Sequence, residues 1–150
     1  MFTCTPRSLC AWDFTLDGPG HSAVTELDRM GEGGAATIDG AEHRICKHGM
    51  FSGHWTMCSK YGTVASATKA NALERTLAIS THAGDVRLSA HSAFGRTMLL
   101  GGSGFDAEIA PVHPFTRRAT ITGLIPDFPI ACFAFWLTAL MWRRAARSRS

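Results

Sequence analysis

DFPIACFAFWLTALMWRR, residues 127–144, breaks with the short alternating runs that fill the rest of the chain. Asp127 is a good N-cap, Pro129 falls in the first turn where a missing N–H does no harm, and Arg143 and Arg144 stand at the negative end of the helix dipole. These devices predict a helix over 127–144. Phe128, Ile130, Cys132, Phe133, Phe135, Trp136, Leu137, Leu140, Met141 and Trp142 make it apolar on every side, so it must be surrounded by protein or by lipid. Phe128 to Trp142 spans only about 22 Å at 1.5 Å per residue, short of the roughly 30 Å of a bilayer core. The reading that follows is a core plug inside the protein, formed by Phe128, Ile130, Phe133, Phe135, Trp136, Leu137, Leu140 and Met141. The alternative is a tail-anchored single-pass protein with a small β domain, in which helix 128–142 lies in lipid.

Upstream, the sequence repeats the grammar of hairpins. Trp12, Phe14 and Leu16 alternate with polar residues before Gly18-Pro19-Gly20, and similar runs follow at 22–27, 35–39, 42–47 and 54–60. Further runs cover 63–69, with Asn71 beyond it, then 75–80, 86–90, 96–100, 105–109 and 117–122. About eleven strands at this spacing predict a mainly β fold, and closure into an antiparallel barrel around the helix would remove exposed edges. Residues 1–11, with Pro6 and no sustained period, read as a loose arm or short edge strand. The domain then runs 12–144, and 145–150 is a basic tail.

Four of the fifteen basic residues, Arg143, Arg144, Arg147 and Arg149, lie in the last eight positions. The remaining eleven face twelve acidic residues, so no basic stripe suited to nucleic acid precedes the tail. Five cysteines form an odd set, and Met1 to Trp12 carries no charged segment leading into an apolar one. The expectation is a cytoplasmic protein with reduced thiols, or one associated with a membrane.

The succession GAATIDGAEHRICKHG, GTVASATK, RTLAI, VRLSA, GFDAEIAPVHPFTRRATI and DFPIACFAFWLTALMWRR resembles the tubby C-terminal-like fold of LURP-one-related proteins and phospholipid scramblases. The resemblance covers Trp12 to Arg144. It implies a closed barrel wrapped around a hydrophobic C-terminal helix, together with a leaning toward lipid or membrane association. The family barrel has twelve strands where about eleven can be placed here. No residues match a calcium-binding or phosphoinositide-binding motif, so no functional residue is carried over.

For metal chemistry, His43, Cys46, His48, His54 and Cys58 gather nitrogen and sulfur ligand types around one hairpin. The spacing departs from that of structural zinc sites, and strand alternation sends Cys46 and His48 to one face and His43 to the other. No cofactor is expected. Gly102-Ser103-Gly104 lacks the next glycine of a nucleophile turn, because Phe105 stands there. Asp85, Asp106, Glu108, His82, His91 and His113 supply acids and bases without a pattern that joins them.

The expected function is therefore a non-catalytic binding or interaction module. Its partner would be an anionic lipid surface or another protein, met on the outer surface or the loop ends, where His48, Tyr61 and the tail are accessible. Arg117, Arg118, Arg143, Arg144, Arg147 and Arg149 are the candidates for anionic contacts.

Overall fold

The computed structural model describes residues 1–50, 52–69 and 75–149; Asn71 lies outside them. The strands are β1 (Phe2–Pro6), β2 (Phe14–Gly18), β3 (His21–Leu27), β4 (Gly34–Ile38), β5 (Ala41–Lys47) and β6 (His54–Ser59). They continue with β7 (Gly62–Lys69), β8 (Thr76–Thr81), β9 (Gly84–Ala90), β10 (Met98–Gly102), β11 (Phe105–Pro111) and β12 (Ala119–Leu124), and the helix α1 covers Phe128–Ser148. Each strand pairs antiparallel with its sequence neighbours, and β1 pairs with β12 to close a twelve-stranded barrel.

The alternation read in the sequence is the alternation of the wall. Phe14 and Leu16, Leu77 and Ile79, Val86 and Leu88, and Phe105, Ala107 and Ile109 are buried, while Asp17, Ala78, Arg87, Asp106 and Glu108 face out. The inward set meets α1, whose Ile130, Phe133, Phe135, Trp136, Leu137 and Leu140 are at most 2% exposed. Phe128 is also buried, and Met141 packs against the core from its half-buried position. The protein wall thus supplies the apolar surroundings that the helix requires. No helix among the described residues is long and apolar enough to cross a membrane.

Of the two readings of residues 1–11, loose arm or short edge strand, Phe2–Pro6 form a strand, and it lies within the closed wall and not at an edge. Phe2 and Cys4 point inward, and Phe2, Thr3 and Cys4 register against Ile121, Thr120 and Ala119. Pro6 stands at the end of β1 opposite Phe14, where loss of its N–H is tolerated. Five residues are too few to show a period, so this closing strand has a weak local signature. The basic tail also departs from expectation: α1 runs through Ser148, because Ala145, Ala146 and Arg147 are good helix formers with no Gly or Pro to stop them. Two strands start later than their apolar pattern suggests, at Met98 and Ala119. Arg96 and Arg117 turn away to bind loop carbonyls instead.

An antiparallel meander sorts its connections by length. At one end the strands join through tight turns such as Asp39-Gly40 and Ser103-Gly104, where both residues adopt positive φ as a type I′ hairpin requires. At the other end lie the loops 7–13, 28–33, 91–97 and 112–118, each of six or seven residues, together with the described residues 48–50 and 52–53 between β5 and β6. α1 starts at the tight-turn end and finishes at the long-loop end. Asp127 caps its start, with Oδ1 accepting from the Ile130 N–H at 3.3 Å. Near its middle, Trp136 Nε1 donates to the Glu26 carbonyl at 2.8 Å. Gly34 makes this approach feasible, since a Cβ there would lie 2.9 Å from Trp136 Nε1 and 2.0 Å from the Glu26 carbonyl oxygen.

Candidate functional site

The long loops gather chemistry that is scattered along the sequence. Twelve of the fifteen Lys and Arg residues lie in these loops, at the strand ends that feed them, or in the last turns of α1. Among the described residues, the carboxylates at that end are Asp13, Glu26, Asp28 and Glu32. The tight-turn end has the opposite balance, with Asp17, Asp39, Glu42, Asp85, Asp106 and Asp127 near its turns and only Lys60 within one. The molecule therefore has a basic end and an acidic end.

Apolar side chains crown the basic end. Leu9, Met30, Met50, Phe94 and Phe115 are 82–99% exposed, and each stands on a different long loop. Large apolar residues scattered singly over a surface are ordinary, but five at one end of the barrel concentrate exposed apolar area there. Their sequence contexts carry no periodicity, which is why each reads in isolation as an ordinary loop residue.

The helix exit organises the arginines, and it separates those that support the fold from those that face outward. Arg143 is only 2% exposed, contrary to its expected role as a surface contact. Its guanidinium donates to the Asp28 and Gly31 carbonyls at 2.5 Å each, pinning loop 28–33, while its Nε has no hydrogen-bond partner. Burial lowers its pKa. Arg144 donates to the Glu32 carboxylate, which also accepts from Lys47 Nζ at 2.6 Å. The Arg144 hydrogen bonds, followed by that of Lys47, hold the Glu32 carboxyl down at about 2 against partial burial. Both cations also lie 5.6 Å from the Trp55 ring centre.

Arg117 donates to the carbonyls of Ser8 and Ala11 and stacks 5.1 Å from the Trp12 ring, which ties loop 7–13 to loop 112–118. Arg118 is exposed beside it. Arg147 donates to the Arg29 carbonyl at 3.3 Å, and Arg149 ends the described helix exit. Of the six arginines expected to meet an anionic surface, Arg143 and Arg117 are therefore committed to loop carbonyls and Arg144 to Glu32. Arg118, Arg147 and Arg149 are exposed.

Cavities open at this end among the described residues. One, of about 270 Å³, lies among Trp12, Asp13, Leu27, Arg29, Arg143 and Arg147. Another, of about 390 Å³, lies between loop 91–97 and the helix exit, with Lys69, Arg75, Arg96, Arg144 and Arg149 around it and Met141, Trp142 and Phe94 completing the lining. A larger concavity lies elsewhere, an open and mainly apolar groove of about 880 Å³ on the wall of β7–β11. Its lining includes Ala78, Arg87, Leu99 and Gly101 and holds no histidine or cysteine.

The His and Cys side chains of the β5–β6 hairpin do not assemble around one point, in keeping with the poor zinc spacing read in the sequence. His43 faces inward, 7% exposed, with Nδ1 3.0 Å from the Ala41 carbonyl, whereas Cys46 is exposed on the outer face. His48 and His54 come together at 4.7 Å between ring centres, but His48 Nε2 is 2.7 Å from the Thr56 hydroxyl. Cys58 Sγ lies 3.7 Å from the Thr63 hydroxyl. Among the described residues, no three His, Cys, Asp or Glu side chains are grouped to hold a metal ion.

One acid and base pair escaped the sequence reading. His21 Nδ1 lies 2.7 Å from Asp39 Oδ2, and the Ser22 N–H donates to Asp39 Oδ1 at 2.9 Å. The Ser22 N–H, followed by His21, lowers the Asp39 pKa. The His21 ring also stacks on Phe128 at 4.8 Å, so the pair joins two neighbouring turns to the start of the helix. Gly102-Ser103-Gly104 is the turn expected of it, with Ser103 Oγ donating to the Asp85 carbonyl at 2.9 Å. Comparison with family models, with curated proteins and with solved structures found no match for this chain.

Proposed function

We propose that the chain is a non-catalytic binding module of the tubby-like, LURP-one-related type, and that its long-loop end associates with an anionic lipid surface. The closed barrel around a C-terminal helix supports the family reading. A single observation carries the lipid reading: Leu9, Met30, Met50, Phe94 and Phe115 project from the end that also concentrates the arginines. A bilayer interface offers both an apolar layer for such tips and negative charge for the basic residues. Full burial of a large apolar side chain contributes about 1.5–3 kcal/mol, and each basic residue near an anionic leaflet about 1 kcal/mol. A few tips and a few arginines therefore suffice for reversible attachment.

Vesicle flotation tests the reading. The chain should float with vesicles of phosphatidylcholine and phosphatidylserine, leave them as salt is raised, and ignore phosphatidylcholine alone. The triple variant Met30→Ser, Phe94→Ser, Phe115→Ser should lose most of the bound fraction while retaining the native circular dichroism spectrum. Absence of salt-sensitive binding by the parent chain would overturn the proposal.

A further inference from the structure

The outer face of β9, β10 and β11 divides by charge. Register places Arg87, Gly101 and Asp106 side by side, one from each strand, and Ser89, Leu99 and Glu108 in the next row. All six point outward, because their neighbours along each strand are buried. In these two rows β9 therefore presents a cation, β11 presents two carboxylates, and β10 between them offers the apolar Leu99 and Gly101. Asp85, the other charged residue of β9, lies closer to the tight turn. Among the described residues, Arg87, Asp106 and Glu108 have no side-chain hydrogen bond or ion pair.

Nothing inside the chain requires a glycine at 101. A Cβ there would meet nothing within 4 Å, and its φ is not positive. Glycine weakens the interior of a strand, and it serves where a ligand or another backbone approaches closely. Here that approach has to come from outside, over the groove of about 880 Å³ whose lining includes Ala78, Arg87, Leu99 and Gly101.

Charge identifies the approaching body. It needs a carboxylate opposite Arg87, a cation opposite Asp106 and an apolar surface between them. The face itself meets that description after a half-turn. A two-fold axis laid along β10 carries the β9 side of one copy onto the β11 side of the other, with both flanks about 5 Å from the axis, the spacing of neighbouring strands. Arg87 of each copy then meets Asp106 of the other and Ser89 meets Glu108, while Leu99 and Gly101 meet their own counterparts on the axis. Arginine is favoured and lysine disfavoured at such contacts, and no lysine stands on the outer face of β8–β11.

We infer that this face joins two copies of the chain about a two-fold axis along β10, with reciprocal Arg87–Asp106 ion pairs on either side. The apolar centre supplies burial and the flanking charges fix the register. No loop tip takes part, so the contact stands independently of the lipid reading. Because the axis follows the strands, both long-loop ends lie on the same side of the pair.

Sedimentation equilibrium of the full chain over a micromolar to millimolar series tests the contact. The parent should approach twice the mass of one chain. Arg87→Asp and Asp106→Arg should each weaken the dimer about a hundredfold, since each sets like charges opposite one another twice. An equimolar mixture of these two variants should dimerise again, because opposite charges then meet at both contacts. Gly101→Leu should keep the parent's circular dichroism and thermal transition, yet sediment as one chain because its side chain occupies the axis. A parent that stays at one chain mass throughout the series defeats the inference. So does a Gly101→Leu variant that dimerises like the parent, a single charge reversal without effect, or a mixture that remains dissociated.

Discussion

Glu32 shows how one residue joins the helix exit to the wall. Its carboxylate receives Arg144 from α1 and Lys47 from β5, and these contacts bring its pKa from 4.5 to about 2. A depressed carboxylate contributes stability that is fully present above its unfolded value and is lost as pH falls through the folded one. The chain should therefore lose about 1–2 kcal/mol between pH about 4.5 and about 2 on account of this group, after allowance for solvent screening. Glu32→Gln should be less stable than the parent at pH 7 and should lack that part of the acid transition. Chemical denaturation at a series of pH values measures both effects. Equal pH dependence in the two proteins would mean that the triad contributes nothing.

No spacing rule pointed to Glu32, which sits in a glycine-rich turn in the sequence. Its partners are 15 and 112 residues away. Arg143 was legible as a cation at a helix terminus but not as a buried one. Its burial follows from the helical phase that turns it toward loop 28–33, where two carbonyls replace its water.

At the scale of elements, the strands and the helix were readable because each carries its own period. The wall strands bury every second residue, and α1 is apolar around its whole circumference because the barrel encloses it. The twelfth strand was harder to see, since β1 has five residues and only Phe2 and Cys4 to mark its inner face. Its existence is a requirement of closure, which leaves no edge between β12 and β2.

The same enclosure makes the helix indispensable. Removal of residues 127–150 would leave a wall whose apolar inner face has nothing to pack against. That variant should lose cooperative thermal unfolding and bind a hydrophobic dye at neutral pH, as scanning calorimetry and dye fluorescence would show. A folded, soluble remainder would contradict the enclosed helix and favour an anchor.

Across the whole molecule, enclosure also predicts a pattern of thiol reactivity. Cys4 and Cys132 are buried, one on the wall and one on the helix, and burial raises both thiols far above their ordinary pKa. Cys10 and Cys46 are exposed and Cys58 is half-buried. Iodoacetamide should label Cys10, Cys46 and Cys58 in the native protein, while Cys4 and Cys132 react only at the rate of global unfolding. Peptide mass spectrometry distinguishes the sites. Native-state labelling of Cys132 alongside Cys46 would show that the barrel does not seal its helix.

The amino-acid order alone determined eleven of the twelve strand segments, that the last long segment is a helix, and that this helix needs an apolar enclosure. Those properties are local, because alternation, capping residues and all-round hydrophobicity are each contained within a few consecutive turns or pleats. Only the tertiary structure decided which strands close the wall and which loops share an end. A meander returns to the same end after every second strand, so Arg75 and Arg96 come beside the helix-exit pair Arg144 and Arg149 although long stretches of chain separate them from it. The basic, apolar-tipped end is a property of that folding path, and no single stretch of sequence contains it.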